Sequence, residues 1–243
     1  MFQGEPVVDI PKRILLKLSG ESLGSKGEPF DGDRIHRLTM ELGTLQDQGI
    51  EIGMVVGGGN IFRGNRGAFA ARLDRPRADD VGMLATGLNA LVLQSYLSSN
   101  GIPASAYGAF AIPGKLEEFC LEKVRNDLAQ KKTVIFYGGT GLPYFSTDSA
   151  AAVRAAEIGA DLLMKGTHVN GVYDKDPGQY PNAKRYDRLT YHEAFSLHLQ
   201  VMDATAFALC RETGIPTFVF KIFGESSLWD IVRDQKPGTW VSN

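Results

Sequence analysis

Residues 133–156 constrain this chain more than any other stretch. A short run rich in β-branched and aromatic side chains (Thr133, Val134, Ile135, Phe136) meets a dense glycine turn (Gly138, Gly139, Thr140, Gly141), and an alanine-rich segment begins at Asp148. That order spells strand, loop, helix. The loop at 140–147 carries hydroxyls at Thr140, Ser146 and Thr147 and several small residues, so its backbone N–H groups can approach an anion. Asp148 falls at or beside the N-cap of a helix predicted over 149–158. Helix starts gather unpaired N–H groups and the positive end of the macrodipole, where phosphates settle. A plain crossover whose glycines serve only geometry would read the same way.

The pattern recurs along the chain. Residues 14–18 are an apolar strand interrupted by Lys17, which runs into Ser19, Gly20, Glu21 and Ser22. A lysine at the carboxyl end of a buried strand suits a phosphate, or it snorkels at a sheet edge. Residues 24–32 are a polar, glycine-rich loop or small hairpin. Ile35, Leu38, Leu42 and Leu45 then share a helical face that Gly49 ends. A strand at 52–56 stops at Gly57, Gly58, Gly59 and Asn60, and three glycines in a row mark a backbone lying close to something or taking positive φ, with a ligand phosphate as the expected neighbour. Arg63 and Arg66 follow as a phosphate lid, while Arg72, Arg75 and Arg77 read as a solvated loop. Asp79 or Asp80 would cap a long helix with Met83, Leu84, Leu88, Leu91 and Val92 on its buried side.

A strand at 102–106 and a helix marked by Leu116, Cys120, Val124 and Leu128 lead to the opening stretch. Beyond it, the strand at 162–165 again ends in a lysine, Lys165, before Gly166, Thr167, His168, Val169, Asn170, Gly171, Val172, Tyr173 and a turn at 174–178. A helix near 204–212, a strand at 217–220, a helix near 227–234 and a short strand near 239–241 complete the chain. Strands alternating with helices predict a three-layer α/β/α sandwich around a mainly parallel sheet, with ligands at the carboxyl ends of strands. No linker, low-complexity tract or fixed-period repeat interrupts the chain, so one domain over 1–243 is expected, with 1–11 a flexible tail.

A net charge of -2 gives no electrostatic reason to expect nucleic acid or an acidic membrane as partner. Cys120 and Cys210 lie among apolar residues at helical spacing, as reduced core thiols do. With no secretion signal at the start and no apolar run of membrane-spanning length, a cytoplasmic protein is expected.

Gathered at strand ends are Lys17 with Gly20, the 57–59 turn with Arg63, the loop ending at Asp148, and Lys165 with Asp176. These are cations, backbone donors and carboxylates with no nucleophile paired to a base. Such a set fits phosphoryl transfer, where a protein positions groups and neutralises charge on the moving phosphoryl and Mg²⁺. Neither a P-loop nor a dinucleotide glycine fingerprint is present. His36, His168, His192 and His198 show no metal-ligand spacing and read as surface or packing residues.

Five stretches closely resemble the bacterial uridylate kinases of the amino acid kinase superfamily: Lys17-Leu18-Ser19-Gly20-Glu21, Gly57-Gly58-Gly59-Asn60-Ile61-Phe62-Arg63-Gly64, Gly82-Met83-Leu84-Ala85-Thr86, residues 140–151 and residues 169–177. They fall in the family's order over nearly the whole chain. The resemblance implies an enzyme converting MgATP and UMP to MgADP and UDP, early in pyrimidine nucleotide synthesis. By the same resemblance Lys17 touches the transferring phosphoryl, and Leu18, Ser19 and Gly20 line the ATP phosphates. Gly59 and Arg63 face ATP near the site of transfer, and Gly58 contacts UMP. Asp79 recognises UMP, and Thr140, Gly141, Leu142, Pro143, Tyr144, Phe145, Ser146 and Thr147 wrap it. Lys165, Asp148 and Asp203 join the catalytic set, Asp148 orienting the lysine or the metal. Thr167, Asn170, Tyr173 and Asp176 hold the adenine and ribose. Mg²⁺ is carried by ATP, with no protein ligand assigned to it.

The family also implies a homohexamer inhibited by UTP. Leu93-Gln94-Ser95-Tyr96 lacks the arginine and aspartate pair of GTP-responsive relatives, which argues against GTP activation. Two alternatives remain. One is a superfamily member acting on a carboxylate or carbamate, against which Asp79 and the 140–147 loop argue. The other is a non-catalytic nucleotide-binding module, against which Lys17 and Asp148 argue.

Overall fold

The computed structural model describes residues 10–63, 72–199, 202–234 and 237–243. Arg66, Gly64 and most of the expected N-terminal tail lie outside them, whereas Pro11 is buried against the body. The strands are β1 (Arg13–Leu18), β2 (Glu51–Val56), β3 (Ala104–Gly108), β4 (Glu117–Glu118), β5 (Thr133–Tyr137), β6 (Leu162–Thr167), β7 (Val172–Tyr173), β8 (Arg185–Tyr186), β9 (Arg188–Thr190), β10 (Thr217–Lys221) and β11 (Thr239–Ser242). The helices are α1 (Gly32–Asp47), α2 (Arg75–Ser99), α3 (Leu121–Ala129), α4 (Thr147–Ile158), α5 (Tyr191–Ser196), α6 (Ala204–Thr213) and α7 (Leu228–Asp234).

Nine strands form one sheet in the order β4-β3-β5-β2-β1-β6-β10-β11-β9, while β7 and β8 make a separate hairpin. Among the described residues, only the β10–β11 pairing within the large sheet is antiparallel. Each face carries its own core. Ile14, Leu16 and Leu18 of β1 pack with Met54 and Val56 under α1, α2 and α7. Leu15, Val55, Phe136 and Leu163 point the other way, onto Val124, Ala151, Ala155 and Phe207 of α3, α4 and α6. Burying a leucine contributes about 1.5–3 kcal/mol, so this period-two alternation holds β1 in register. The order of connection reverses beside β1, whose neighbours are β2 and β6; in open parallel sheets such a switch point opens a crevice at the strand ends.

Several local expectations change. Asp74, not Asp79 or Asp80, caps α2, with Pro76 in the first turn, so the helix begins a turn earlier. Its buried face runs through Ala85, Thr86, Asn89, Ala90, Leu93 and Leu97, and the small residues of its first half allow close approach to the sheet. Leu84 and Leu88 point outward and are about half exposed. Leu116 closes a tight bridge with Ile112, and Cys120 is the N-cap of α3, partly exposed, so only Cys210 is a core thiol. The hairpin, β4, β9 and α5 are additions, built from segments too short for periodicity to reveal.

Candidate active site

Lys17 and Lys165 are cross-strand neighbours in the parallel β1–β6 register. Parallel neighbours share a face, so both ammonium groups project toward the start of α4. Like charges a few ångströms apart repel by about 4 kcal/mol at a protein-like dielectric. Asp148 resolves the conflict. Its Oδ2 accepts a 2.7 Å hydrogen bond from Lys165 Nζ, and its Oδ1 lies 2.6 Å from Lys17 Nζ as a charge contact without hydrogen-bond alignment. Burial alone would raise the Asp148 carboxyl, but the two lysines outweigh it and hold it below its usual value. Burial pushes the Lys165 ammonium down, and the Asp148 carboxylate opposes that shift. The side chains are 11% exposed at Lys17, 15% at Lys165 and 14% at Asp148, so snorkelling is ruled out for Lys17.

Asp148 is free for this work because it is not the cap. Ser146 caps α4, accepting from the amides of Asp148 and Ser149 at 2.9 and 3.3 Å, and the helix begins at Thr147. Ser and Asp compete for N-cap positions on nearly equal terms, and the sequence shows no winner between them. Asp203 is itself an N-cap, of α6, accepting from the Ala206 amide at 2.9 Å. It also accepts from the hydroxyls of Ser146 and Ser149, which ties the start of α4 to α6. Burial raises the Asp203 carboxyl, and the Ser146, Ala206 and Ser149 donors outweigh that and lower it.

The turn after β1 meets the turn after β2. A Cβ on Gly20 would lie 2.4 Å from both Asn60 Oδ1 and the Gly57 carbonyl, so only glycine fits. A Cβ on Gly58 would strike the Gly82 carbonyl of α2 at 2.7 Å, while Gly59 faces open space apart from Glu21 Oε1 at 3.9 Å. A side chain at Gly57 would touch the Gly20 amide and Thr147 and one at Gly58 would strike α2, while Gly58 and Gly59 both line a cleft. Arg63 donates to the Gly59 carbonyl at 2.9 Å and pairs with Glu21 at 2.6 Å. His168 Nε2 stands 3.6 Å from the same carboxylate on an exposed side chain.

Several clefts surround this centre, one of them, of about 400 Å³, lined by Asp148 and Lys165 and another, of about 830 Å³, by Glu21, Gly59, Asn60 and Arg63; two more hold other expected site residues. One, of about 630 Å³, is lined by Lys165, Thr167, Val169, Gly171, Tyr173, Asp176 and Pro177. Thr167 is engaged in a local turn, donating to the Val169 carbonyl at 2.7 Å, and Asn170 is exposed outside the lining. The second, of about 160 Å³, is lined by Gly58, Gly59, Asp79, Met83, Thr86, Thr140, Leu142, Phe145, Ser146 and Thr147. Gly141, Pro143 and Tyr144 are not in its wall. Tyr144, in the left-handed region at φ 72°, instead donates its amide to Asp79 at 2.8 Å. Arg75 holds Asp79 from the other side at 2.8 and 2.9 Å. Leu18 is fully buried in the core, its carbonyl accepting from the Gly57 amide at 3.0 Å.

Sequence reasoning missed Met83, Thr86, Arg75, Asn60 and Asn89. Thr86 accepts from the Gly138 amide at 2.7 Å, fastening the positive-φ glycine turn to α2. The available signal was a threonine and an asparagine on the small-residue face of an otherwise apolar helix. Among the described residues no three His, Cys, Asp or Glu side chains converge on a cation position, and no helix is long and apolar enough to cross a membrane.

Residues 12–221 match the amino acid kinase family. A uridylate kinase of Francisella tularensis is 46% identical over 232 residues, spanning 95% of this chain and 93% of that protein. The crystal structure of UMP kinase from Ureaplasma parvum covers 96% of this chain and 99% of its own, at TM-score 0.89 and 35% identity. That of UMP kinase from Bacillus anthracis covers 96% of both chains at TM-score 0.91 and 32% identity. Paired strand-end lysines, close-packed glycine turns at the strand ends and these likenesses converge: the chain belongs to the amino acid kinase family, on its uridylate kinase branch.

Proposed function

We infer that the chain is a UMP kinase, transferring the γ-phosphoryl of MgATP to UMP to form UDP in the pyrimidine route toward CTP. The observation that carries this assignment is the Lys17–Asp148–Lys165 triad, with Lys165 in the wall of one cleft and Thr147, next to Asp148, in the wall of the smaller one. An α-phosphate oxygen of UMP forms the new bond to the γ-phosphorus as the bond to the β-bridging oxygen breaks. The acceptor is already an anion, so the step needs no general base, in keeping with a site built from cations and donors. Lys17 and Lys165 stabilise charge on the transferring group, Arg63 leaves Glu21 to join them, and the N-terminus of α4 faces the phosphates. Ser19, Gly20 and Gly59 approach the ATP phosphates through backbone, and Thr167, Asn170, Tyr173 and Asp176 border its nucleoside. Asp203 acts by anchoring Ser146 and Ser149.

Mg²⁺ bound to the ATP phosphates would neutralise charge there. The donor set fits a metal carried by the nucleotide, because each Asp148 oxygen already faces an ammonium. UTP, carrying the same uridine, would compete at the smaller cleft. A homohexamer draws support from α2, whose Val81, Leu84 and Leu88 form an exposed apolar stripe. The assignment implies a single-domain cytoplasmic enzyme.

A coupled ADP-release assay with MgATP and a panel of UMP, CMP, dUMP, carbamate and N-acetylglutamate tests it. Turnover is expected with UMP; turnover only with carbamate or N-acetylglutamate would move the chain to another branch, and ATP binding with no turnover would make it a binding module. Asp79→Ala is expected to raise KM for UMP about tenfold or more, the loss of a charged hydrogen bond, with KM for ATP nearly unchanged. Equal rises in both constants would show that Asp79 only staples the Tyr144 loop.

A further inference from the structure

The geometry points to Asn60 and Asn89 as a paired positioning device that sets the distance between the donor-side and acceptor-side turns, an inference resting on the phosphoryl-transfer assignment above. Asn89 sits in the middle of α2 with no exposed surface. A buried carboxamide is costly unless every polar atom is paired, and here the pairing is complete. Asn89 Nδ2 donates to the Gly57 carbonyl at 2.8 Å and to Asn60 Oδ1 at 2.9 Å. Asn60 Nδ2 returns a 2.9 Å hydrogen bond to Asn89 Oδ1 and donates its second proton to the Pro29 carbonyl at 2.8 Å. All the amide protons of both side chains are therefore used.

The partners give the pair its meaning. Gly57 opens the turn that carries Gly58 into the smaller cleft. Asn60 Oδ1 fills the notch left by the missing side chain of Gly20, 2.4 Å from where a Cβ would stand, and Gly20 belongs to the turn that follows Lys17. The reciprocal amides thus fasten α2 to the turn at the acceptor, and the Asn60 carboxamide packs against Gly20 in the turn at the donor phosphates. Neither side chain lines the smaller cleft. In-line transfer depends on the separation of the reacting oxygens and phosphorus, and misplacement by an ångström can cost about a hundredfold. A lone buried polar pair serving only packing would not need to span two catalytic turns.

The test compares Asn60→Ala, Asn89→Leu and the double variant with the wild-type enzyme, using kcat and KM for both nucleotides and thermal melts on the same preparations. Each single variant is expected to lose about tenfold or more in kcat, with both KM values little changed. The double variant is expected to be no slower than the worse single one, because the pair acts as a unit. Unchanged kcat per folded molecule, with only the melting temperature lowered, would overturn the proposal, as would losses that multiply in the double variant. Asn89→Leu keeps the branched heavy-atom shape of the buried side chain; should it fail to fold, Asn60→Ala and Asn60→Asp, in the partly exposed turn, carry the same test. Wild-type turnover of UMP in the same assay separates the two claims: its absence overturns the UMP kinase assignment, whereas its presence with unimpaired variants overturns only the positioning role.

Discussion

Lys17→Ala is expected to lower kcat by about a hundredfold or more, the cost of removing a preorganised charge from the transferring group. The ammonium is held nearly dry at the end of β1, 2.6 Å from Asp148. In such surroundings its field is strong, and it requires no reorganisation when charge develops in the transition state. The substitution also leaves Asp148 facing Lys165 alone, a pairing that remains neutral overall, so the variant should fold. Steady-state turnover with saturating MgATP and UMP checks this; near-normal kcat would remove Lys17 from the mechanism.

Asp148→Asn is the second large effect, and it strikes both rate and stability. Removing one partner from a buried charge cluster typically costs about 3–5 kcal/mol, because here two ammonium groups would face each other across a neutral amide. A loss of about 3 kcal/mol in a chain of this size lowers the melting temperature by roughly 10 °C, and kcat should fall about a hundredfold as both lysines lose their orientation. The wild-type carboxyl is depressed in the folded state, so its contribution to stability is present above the ordinary aspartate range. That contribution is lost as pH falls through the depressed value. Acid melts should therefore show the wild type losing a contribution that Asp148→Asn never had. A variant with wild-type melting temperature and rate would mean that the lysines need no carboxylate between them.

Much of this was legible beforehand, and what was not has physical causes. Lys17 and Lys165 stood out because a cation at the end of an apolar run contradicts packing. That they face the same helix depends on the β1–β6 pairing, between strands more than a hundred residues apart, and no local pattern encodes it. Asp148 was visible as an acidic residue near a helix start, but whether it or Ser146 would cap that helix is a contest between near-equal caps, decided by the lysines that claim the carboxylate. Leu84 and Leu88 match a helical stripe as well as core leucines do; α2 turns its small residues inward because Gly58 and the Gly138 turn must come close. The β7–β8 hairpin, with two-residue strands, carries too little periodicity to be seen.

The parallel register of β1 and β6 also acts as a check on folding itself. A slip of one residue would turn Lys17 toward the layer of Ile14, Leu16 and Leu18, where no carboxylate waits, and send a leucine toward Asp148. The misfolded sheet would then bury a bare cation among the leucines, costing several kcal/mol, and leave Asp148 with Lys165 as its one lysine partner. The charges that serve the chemistry thereby select against the nearest wrong topology, and a chain able to pair its strands incorrectly would announce the fault by its instability as well as its silence as a catalyst.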